Sequence, residues 1–288
     1  MERNPEIEQL IGREHPCLNH GFVRLVDYMG SDNAVVQAAR VSYGEGTKKV
    51  REDRGLIRYL LRHQHTTPFE MVEFKFHCKM PIFVARQWIR HRTASVNEYS
   101  LRYSKAINEF YVPKGSDLKI QTTKNKQGRA DESIPPEEQE KVLQLLQQGA
   151  EQAWSGYEAL METGLTREVS RINLPMSLYT EWYWKIDLHN LMHFLKLRID
   201  EHAQYEIRVY AQAMADIVRK IVPITWEAFE DYVLYANNFS KAELQILGKL
   251  LKQLPENTDW DELMDSEKMS KREKSEFIDK INEIRENM

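Results

Sequence analysis

The sequence has few cysteines and few glycines, and both scarcities exclude common kinds of site. Its 288 residues include two cysteines, Cys17 and Cys78, too few for a disulfide framework or a cysteine-rich zinc site. It has 12 glycines and neither GxGxxG nor GxxxxGK[ST]; the nearest pattern, Gly44-Glu45-Gly46, lacks a third glycine. A nucleotide would therefore be bound by side chains and local backbone, not by a Rossmann turn or a P-loop.

The chain also lacks an excess of positive charge and any long apolar run. Lys and Arg number 40 against 44 Asp and Glu, a net charge of −4, so there is no net positive field to hold a nucleic acid. No apolar run approaches the roughly 20 residues that span a bilayer. Residues 1–10 are acidic and lack the features of a secretory signal. We expect a soluble, cytoplasmic protein with neither nucleic acid nor membrane as partner.

Hydrophobic periodicity predicts a mixed α/β (α+β) fold. Residues 52–62 carry apolar side chains at helical spacing, and this helix should end before Pro68. Residues 72–79 alternate apolar and polar, which is typical of a half-buried strand, with Cys78 on the apolar side. Such alternation is characteristic of antiparallel sheets. We therefore predict one main domain with a central, largely antiparallel sheet flanked by helices.

Other segments are assigned from proline positions and composition. Pro81 can begin a helix over residues 81–92, which would place Gln87, Arg90 and His91 on one face. The polar stretch 114–133 resembles a long surface loop.

Two longer helices and a terminal appendage follow. Pro135-Pro136 should open a helix that ends at Gly164, and a helical pattern runs from Asp187 to about Val222. Residues 240–243 form a capping box before short, highly charged helices. We predict a main domain over residues 1–232 and a helical extension over 233–288.

The densest group of charged and polar residues lies between Arg90 and Tyr103. Three consecutive cationic or basic residues, Arg90-His91-Arg92, precede a carboxylate, a serine and another arginine. Such donors suit phosphate groups and planar heterocycles. A solvated basic turn explains the composition equally well, because charge runs usually lie on the surface.

A second candidate is Arg198, which falls in an apolar stripe of the predicted 187–222 helix. The stripe members are Leu191, Phe194, Leu195, His202 and Tyr205. A guanidinium in such a stripe must be paired or face a ligand, because burying it alone is costly. A structural salt bridge is the simpler interpretation, but together with the Arg90 cluster a binding site is favoured.

His63, His65 and Glu70 form a third candidate. A histidine pair followed by a carboxylate can be half of a metal site. No HExxH or CxxC motif completes it, and polar residues commonly close a helix. We predict no metal, with a metal-dependent hydrolase kept as an alternative.

Several of these motifs together resemble one enzyme family. Arg90-His91-Arg92, seven residues and then Ser100 match the RHR-x7-S signature of the flavin-dependent thymidylate synthases. Four other segments resemble that family in the same order: 65–70, 81–88, 170–175 and 195–204. The resemblance extends from about Ala34 to about Tyr232.

The resemblance implies an activity and its partners. The reaction would be reductive methylation of dUMP to dTMP, with 5,10-methylenetetrahydrofolate as carbon donor, FAD as hydride carrier and NADPH as reductant of the flavin. Tetrahydrofolate would be the folate product. The resemblance also implies a homotetramer whose active sites are assembled from several subunits.

It further implies which residues would bind each ligand. The dUMP site would comprise Gln87, Trp88, Arg90, Glu98, Tyr99, Ser100, Leu101, Arg102, Arg171 and Arg198. The flavin site would comprise Thr67, Arg90, His91, Arg92, Glu98, Asp187, Leu188, His189 and His193. Asp187 and His193 stand where asparagine is also found in the family.

Within this site we expect Arg198 to be the catalytic residue. A guanidinium can stabilise negative charge on the pyrimidine and make carbon 5 more nucleophilic. Neither cysteine suits a thiol mechanism, since Cys78 lies on the apolar side of a strand and Cys17 outside every cluster. We expect Ser100 to hydrogen-bond the phosphate and His91 to be uncharged. The alternatives are an RNA-binding protein, the metal-dependent hydrolase, and a paralogue that binds ligands without turnover.

Overall fold

The computed structural model describes residues 5–41, 50–123, 128–255, 258–265, 267 and 269–287. Gly44-Glu45-Gly46 lies outside the described residues. The chain divides into two compact units, Met1–Leu234 and Tyr235–Met288. The division falls two residues after the boundary expected from the sequence.

The described part of the first unit contains a five-stranded and a two-stranded sheet. The strands are β1 (Glu14–Cys17), β2 (Gly21–Met29), β3 (Glu73–Pro81), β4 (Ser95–Glu98), β5 (Lys119–Gln121), β6 (Arg129–Ser133) and β7 (Tyr179–Asp187). The larger sheet has the order β1-β2-β3-β7-β4, and β5 pairs with β6. Every neighbouring pair is antiparallel, which confirms the predicted sheet type.

Helices flank the larger sheet. In the described part of this unit they are α1 (Pro5–Glu8), α2 (Asp32–Val41), α3 (Val50–Arg62), α4 (Ile82–Trp88), α5 (Pro136–Glu162), α6 (Arg167–Ser170), α7 (Leu188–Ile199), α8 (Tyr205–Ile221) and α9 (Pro223–Phe229). Short 3-10 helices lie at Thr67–Met71, Gly115–Asp117 and Arg171–Asn173, and a π-helical turn at Glu230–Leu234. The mixed α/β fold is confirmed.

The predicted strand and two predicted helices are present. In β3, Phe74, Phe76 and Cys78 are buried on one side, as the period-2 pattern requires. Helix α3 covers residues 52–62, and α5 ends two residues before Gly164, which adopts the left-handed φ of +81° that favours glycine. The apolar face of the sheet meets α7 and α8 in one core.

The helix predicted over residues 81–92 is shorter than expected. Pro81 is the last residue of β3, with extended backbone, and α4 ends at Trp88. The amides of Arg90 and His91 donate to the carbonyls of Gln87 and Trp88, three residues back, a tight turn that closes a helix. Gln87, Arg90 and His91 therefore do not share a helix face, because the chain must turn there to bring β4 beside β7.

The long helix predicted from Asp187 to Val222 is two helices. Helix α7 ends at Ile199, Asp200 is extended, and α8 begins at Tyr205. The side chain of Asp200 accepts hydrogen bonds from the backbone amide of His202 at 2.8 Å and from its ring at 2.9 Å. This local turn competes with helix. His202 and Tyr205 therefore do not continue the apolar stripe of Arg198.

The predicted loop over 114–133 is also partly ordered structure. Its described residues form a 3-10 turn and the β5–β6 hairpin. The backbone amide of Ile134 donates to the carbonyl of Leu118 at 2.9 Å. The hairpin was not predicted from the sequence because its strands are short and mostly exposed, and so lack an apolar alternation.

The second unit contains α10 (Lys241–Leu251), α11 (Trp260–Met264) and α12 (Lys271–Asn287) among its described residues. The predicted capping box is present: the Ser240 hydroxyl accepts from the Glu243 amide, and the Glu243 carboxylate accepts from the Ser240 amide. In the described ranges of the whole chain, no helix is both long and apolar enough to cross a membrane.

Candidate active site

The centre of the candidate site is a hydrogen bond between His91 and Arg198. His91 lies just after α4, and Arg198 lies in the last turn of α7. The Nε of Arg198 donates to Nε2 of His91 at 3.1 Å, so this ring nitrogen must carry no proton. Burial, and next the charge of Arg198, lower the pKa of His91 to about 4. His91 is therefore neutral near pH 7, in agreement with the expectation from sequence.

The rest of the Arg198 guanidinium is available to a ligand. Burial lowers the pKa of Arg198, yet a guanidinium stays charged at neutral pH. Across the described residues, its two terminal nitrogens have no protein hydrogen-bond partner and no carboxylate lies within ion-pair distance. The structural salt bridge considered from the sequence is thus not present in this part of the chain. A half-buried cation with a free planar edge is suited to a planar anion.

Of the predicted flavin residues, His193 lies beside His91, and four others lie on the 3-10 helix at Thr67–Met71 and at the start of α7. The exposed Thr67 begins a 3-10 helix that packs against α7. Asp187 caps α7, its Oδ1 accepting from the amide of Asn190 at 2.9 Å. One turn further along α7, the exposed ring of His193 lies 6.1 Å from that of His91, centroid to centroid. His189 is half-buried on the first turn of α7.

Two predicted contact residues are in the core instead. The side chain of Trp88 is fully buried, edge-on to Trp184 and stacked on Phe194 with ring centroids 5.2 and 5.0 Å away. Leu188 is also fully buried, and its amide donates to the Val72 carbonyl at 2.8 Å. These side chains support the site from behind, so a ligand contact at either position would involve backbone atoms.

The predicted phosphate-binding residues lie around the turn after β4. Arg102 is exposed, and its Nε lies 2.9 Å from Oε2 of Glu168 on α6. The Ser100 hydroxyl accepts from the Arg102 amide at 3.3 Å. Arg171 follows α6 in a 3-10 helix. The ion pair between Arg102 and Glu168 therefore joins the Ser100 turn to α6, the helix that Arg171 follows.

Four other predicted nucleotide residues have structural partners. Glu98 on β4 accepts a hydrogen bond from the Thr180 hydroxyl at 2.7 Å. The Tyr99 hydroxyl donates to the carbonyl of Lys105 at 3.0 Å. Leu101 packs against a small second core cluster. The side-chain amide of Gln87 donates to that of Gln204.

Three residues that contact the predicted site residues were not predicted from the sequence: Gln204, Glu168 and Thr180. The contact of Gln204 with Gln87 was not predicted because residues 187–222 were interpreted as one helix. The signal for a break was Asp200, whose short side chain favours local turns. Glu168 and Thr180 carry no sequence signal that separates them from ordinary polar residues.

The competing site interpretations are not supported by the geometry. His63 and His65 lie beside the Tyr59 ring, with centroids 4.3 and 5.9 Å away. Over the residues that the structure describes, no group of three His, Cys, Asp or Glu side chains could hold a metal ion. Cys17 and Cys78 are both buried and free, and burial raises the pKa of Cys17 to about 12 and that of Cys78 well above its ordinary value. Neither is a ready nucleophile.

Three arginines of the predicted site lie on exposed surface. Arg90, Arg92 and Arg102 are exposed. A cavity of about 490 Å³ lies elsewhere, beside β1 and α8, and its lining includes none of the predicted site residues.

Comparison with known proteins identifies the family. Residues 24–224 match the family described as thymidylate synthase complementing protein. A relative from Rickettsia bellii (strain RML369-C), named flavin-dependent thymidylate synthase, is 54% identical over 259 residues, which cover 86% of this chain and 88% of the relative. The chain belongs to the flavin-dependent thymidylate synthases. It is therefore an enzyme, a methyltransferase that depends on a flavin.

Other relatives agree with this assignment. A flavin-dependent thymidylate synthase from Wolbachia pipientis wMel is 56% identical, covering 86% of this chain and 87% of the relative. The crystal structure of a UMP/dUMP methylase, PolB from Streptomyces cacaoi bound with 5-Br dUMP, superposes with a TM-score of 0.69 at 34% identity, covering 76% of this chain and 98% of PolB. Family membership excludes the two alternative classes, a non-catalytic RNA-binding protein and a metal-dependent hydrolase.

Proposed function

We propose that this flavin-dependent thymidylate synthase methylates dUMP to dTMP for de novo thymidylate synthesis. The carbon donor is 5,10-methylenetetrahydrofolate, the hydride comes from NADPH by way of FAD, and tetrahydrofolate is released. The observation that carries the proposal is the Arg198 guanidinium, which is held through Nε by the neutral His91 while its terminal nitrogens have no partner among the described residues. The relatives' names and the 5-Br dUMP bound to PolB support the same substrate class.

Arg198 provides the electrostatic part of the reaction. Carbon 5 of uracil becomes nucleophilic when negative charge on N3 and the carbonyl oxygens is stabilised, and a planar guanidinium matches that edge of the ring. Phe194 and Leu195 are buried on the same helix, and low local dielectric strengthens the interaction. His91 fixes the orientation of Arg198 by accepting from Nε, so less entropy is lost when the ring binds.

The phosphate of dUMP would be bound by Arg102 and Arg171, with the hydroxyl of Ser100. Arg102 currently pairs with Glu168, but an exposed ion pair contributes at most about 1 kcal/mol. A phosphate dianion forms stronger, charge-assisted hydrogen bonds with a guanidinium and would replace the carboxylate. Gln87, Arg90, Glu98 and the backbone near Trp88, Tyr99 and Leu101 complete the proposed nucleotide site.

The donor set also fits a flavin. A neutral, half-buried His91 ring beside the exposed His193 ring offers a surface for a planar heterocycle. Arg90 and Arg92 are exposed, with no carboxylate partner in the described segments, and suit a pyrophosphate. The residues that would hold FAD are Thr67, Arg90, His91, Arg92, Glu98, Asp187, Leu188, His189 and His193. When bound, the flavin supplies a hydride.

The reaction needs no enzyme thiol. Both cysteines are fully enclosed in the core beside the sheet, and their raised pKa values leave them protonated near pH 7. Ser100 lacks an adjacent base among the contacts described, since its hydroxyl accepts from a backbone amide. It is better suited to bind the phosphate than to attack the ring.

We also propose a homotetramer in which neighbouring subunits complete each site. The arginines Arg90 and Arg92 lie on open surface, and several apolar side chains near the site are exposed, including Ile89, Tyr103 and Ile172. Such side chains are typical of an interface. Light scattering of the purified protein should give a mass of about four chains; a monomeric mass with full turnover would contradict this assembly.

The activity can be tested with the visible absorption spectrum of the purified protein. We expect a flavin band that bleaches when NADPH is added anaerobically with dUMP present, and that returns as dTMP forms on addition of 5,10-methylenetetrahydrofolate. A flavin band without dTMP would identify a paralogue that binds its ligands but has lost turnover. If no flavin band appears, even after incubation with FAD, the proposed cofactor is wrong.

A further inference from the structure

One buried carboxylate, Glu206, joins the β5–β6 region to the start of α8. We name residues 115–123 and 128–133 the hairpin segment. The Arg129 guanidinium lies 3.2 Å from Oε2 of Glu206, and the Tyr111 hydroxyl donates to Oε1 at 3.1 Å. The side chain of Glu206 is about one-tenth exposed. Both oxygens of a nearly buried carboxylate are therefore satisfied from outside α8.

Arg129 makes two further contacts that fix its position. Another of its nitrogens donates to the carbonyl of Asp117 at 3.2 Å. Its guanidinium carbon also lies 5.2 Å from the centroid of the Tyr205 ring, a cation–π contact. One side chain thus connects both halves of the hairpin segment with the first two residues of α8.

The residue just before this first turn is Gln204, the partner of Gln87. Gln204 is exposed, has extended backbone and makes no side-chain cap with α8. Helix α7 ends at Ile199, so Gln204 is not part of α7. Its carbonyl accepts from the amides of Ile207 and Arg208, which joins Gln204 to the first turn of α8. Tyr205 and Glu206 in that turn are held by Arg129.

We propose that Arg129 and Glu206 are positioning residues for nucleotide binding: through the first turn of α8 they place Gln204 against Gln87. The inference rests on the proposed function, because it takes Gln87 as a dUMP contact. Neither positioning residue touches the substrate. The hairpin segment thereby gains a role in nucleotide affinity.

The positioning should affect affinity and leave the chemical step unchanged. Arg198 lies on α7 and is oriented by His91. Among the described residues, neither has a hydrogen bond or ion pair with the hairpin segment. Removal of Arg129 leaves the Glu206 carboxylate nearly buried with one hydroxyl partner, which is unfavourable. The first turn of α8 would then move toward water, and Gln87 would lose the partner that orients its amide.

The experiment compares Arg129→Met with Lys119→Met in the full chain. Lys119 lies in the same hairpin segment, and its Nζ donates to the Asp131 carbonyl at 2.5 Å without reaching α8. For Arg129→Met we expect the Kd and KM of dUMP to rise about fivefold, with kcat within about twofold and the flavin content unchanged. For Lys119→Met we expect no change. If Arg129→Met lowers kcat about fivefold, as much as the Kd of dUMP was expected to rise, the proposal is overturned. An unchanged Kd of dUMP also overturns it.

A double-mutant cycle tests whether the effect passes through Gln204. In a Gln204→Leu background, Arg129→Met should raise the Kd of dUMP by less than about twofold. A full fivefold rise in that background would overturn the proposed route. If Arg129→Met does not fold, Tyr111→Phe removes one hydrogen bond to Glu206 and should raise the Kd about twofold; an unchanged Kd for that variant also overturns the proposal.

Gln87→Leu separates this proposal from the proposed function. If Gln87→Leu leaves dUMP affinity unchanged, Gln87 is not a nucleotide contact and the site assignment itself is wrong. If Gln87→Leu weakens dUMP binding while Arg129→Met does not, only the positioning role fails.

Discussion

At the scale of single residues, the interaction that matters most is the hydrogen bond from Arg198 to His91. It requires an unprotonated Nε2 on the imidazole, and burial beside a cation provides that state. The same bond uses only Nε of Arg198, so the planar edge of the guanidinium remains for the pyrimidine. A lysine could supply the charge but not the fork or the Nε bond.

Arg198→Lys should therefore lower kcat about 100-fold, the size of loss typical when one preorganised donor to a developing anion is removed. Flavin should still be bound. The measurement is dTMP formation at saturating substrates, together with the flavin absorbance per chain. Arg219→Lys is the matched control, because Arg219 pairs with Asp216 on the exposed face of α8. Unchanged turnover in Arg198→Lys would remove Arg198 from the mechanism.

The lowered pKa of His91 predicts a pH dependence of stability. Between its ordinary pKa of 6.5 and about 4, the unfolded chain binds a proton at His91 that the folded protein excludes. The free energy of unfolding should thus fall as the pH decreases through that window. His91→Gln retains an acceptor for Arg198 and should lose less stability between pH 7 and pH 5, as measured by urea denaturation. His202→Gln, at an exposed histidine, should behave like the unmodified protein; an equal pH dependence in His91→Gln would contradict the assignment.

The buried cysteines predict a further residue-scale result. Cys17→Ala together with Cys78→Ala should leave kcat within about twofold, since neither thiol takes part in the reaction. We expect a loss of about 1 kcal/mol of unfolding free energy for each small cavity formed. Turnover and denaturation curves measure the two effects separately. A folded double variant without turnover would show that the thiol-free mechanism is wrong.

At the scale of elements, the helix ends show how much of the secondary structure can be predicted from the sequence. Hydrophobic periodicity predicted α3 and β3, because each presents one apolar face, and the prolines before α5 and the glycine after it predicted that helix. The predicted end of α4 was four residues too late, and the break between α7 and α8 was not predicted. Those ends are decided by partners distant in sequence: β4 must reach β7 after α4, and Asp200 forms a turn before α8.

A long-range cap illustrates the same dependence and gives a prediction. Asp32 begins α2, yet its carboxylate accepts from the amides of Ile224 and Thr225 at the start of α9, both at 2.9 Å, and from the Thr225 hydroxyl. Since the carboxylate and its partners are buried, Asp32→Ala should lower the unfolding free energy by about 2 kcal/mol.

Urea denaturation followed by tryptophan fluorescence measures this loss. Asp216→Ala is the control in the same unit, because its exposed pair with Arg219 should contribute less than about 0.5 kcal/mol. Equal losses for Asp32→Ala and Asp216→Ala would show that the buried cap contributes no more than a surface pair.

At the scale of the whole molecule, the candidate site belongs to one of the two compact units. Every predicted site residue lies between Thr67 and Arg198, and the family match ends at residue 224. Both limits fall inside the unit Met1–Leu234.

A chain that ends at Leu234 should therefore fold and keep the flavin band, with kcat and the KM for dUMP within about threefold of the full chain, because its core is complete without the second unit. Circular dichroism melting and steady-state kinetics check this. Loss of flavin from a folded truncated chain would assign residues 235–288 a part in the site.

The sequence by itself determined the family, the mixed α/β class, the antiparallel sheet type and the set of candidate residues, because motifs and periodicity are local properties of the chain. Tertiary structure decided that Arg198 meets His91, that Trp88 and Leu188 face the core, and that Gln204 pairs with Gln87. It also decided where α7 stops and that residues 119–121 pair with residues 129–133. These depend on contacts between segments far apart in sequence, whose free energies exceed the local preferences that a pattern can record.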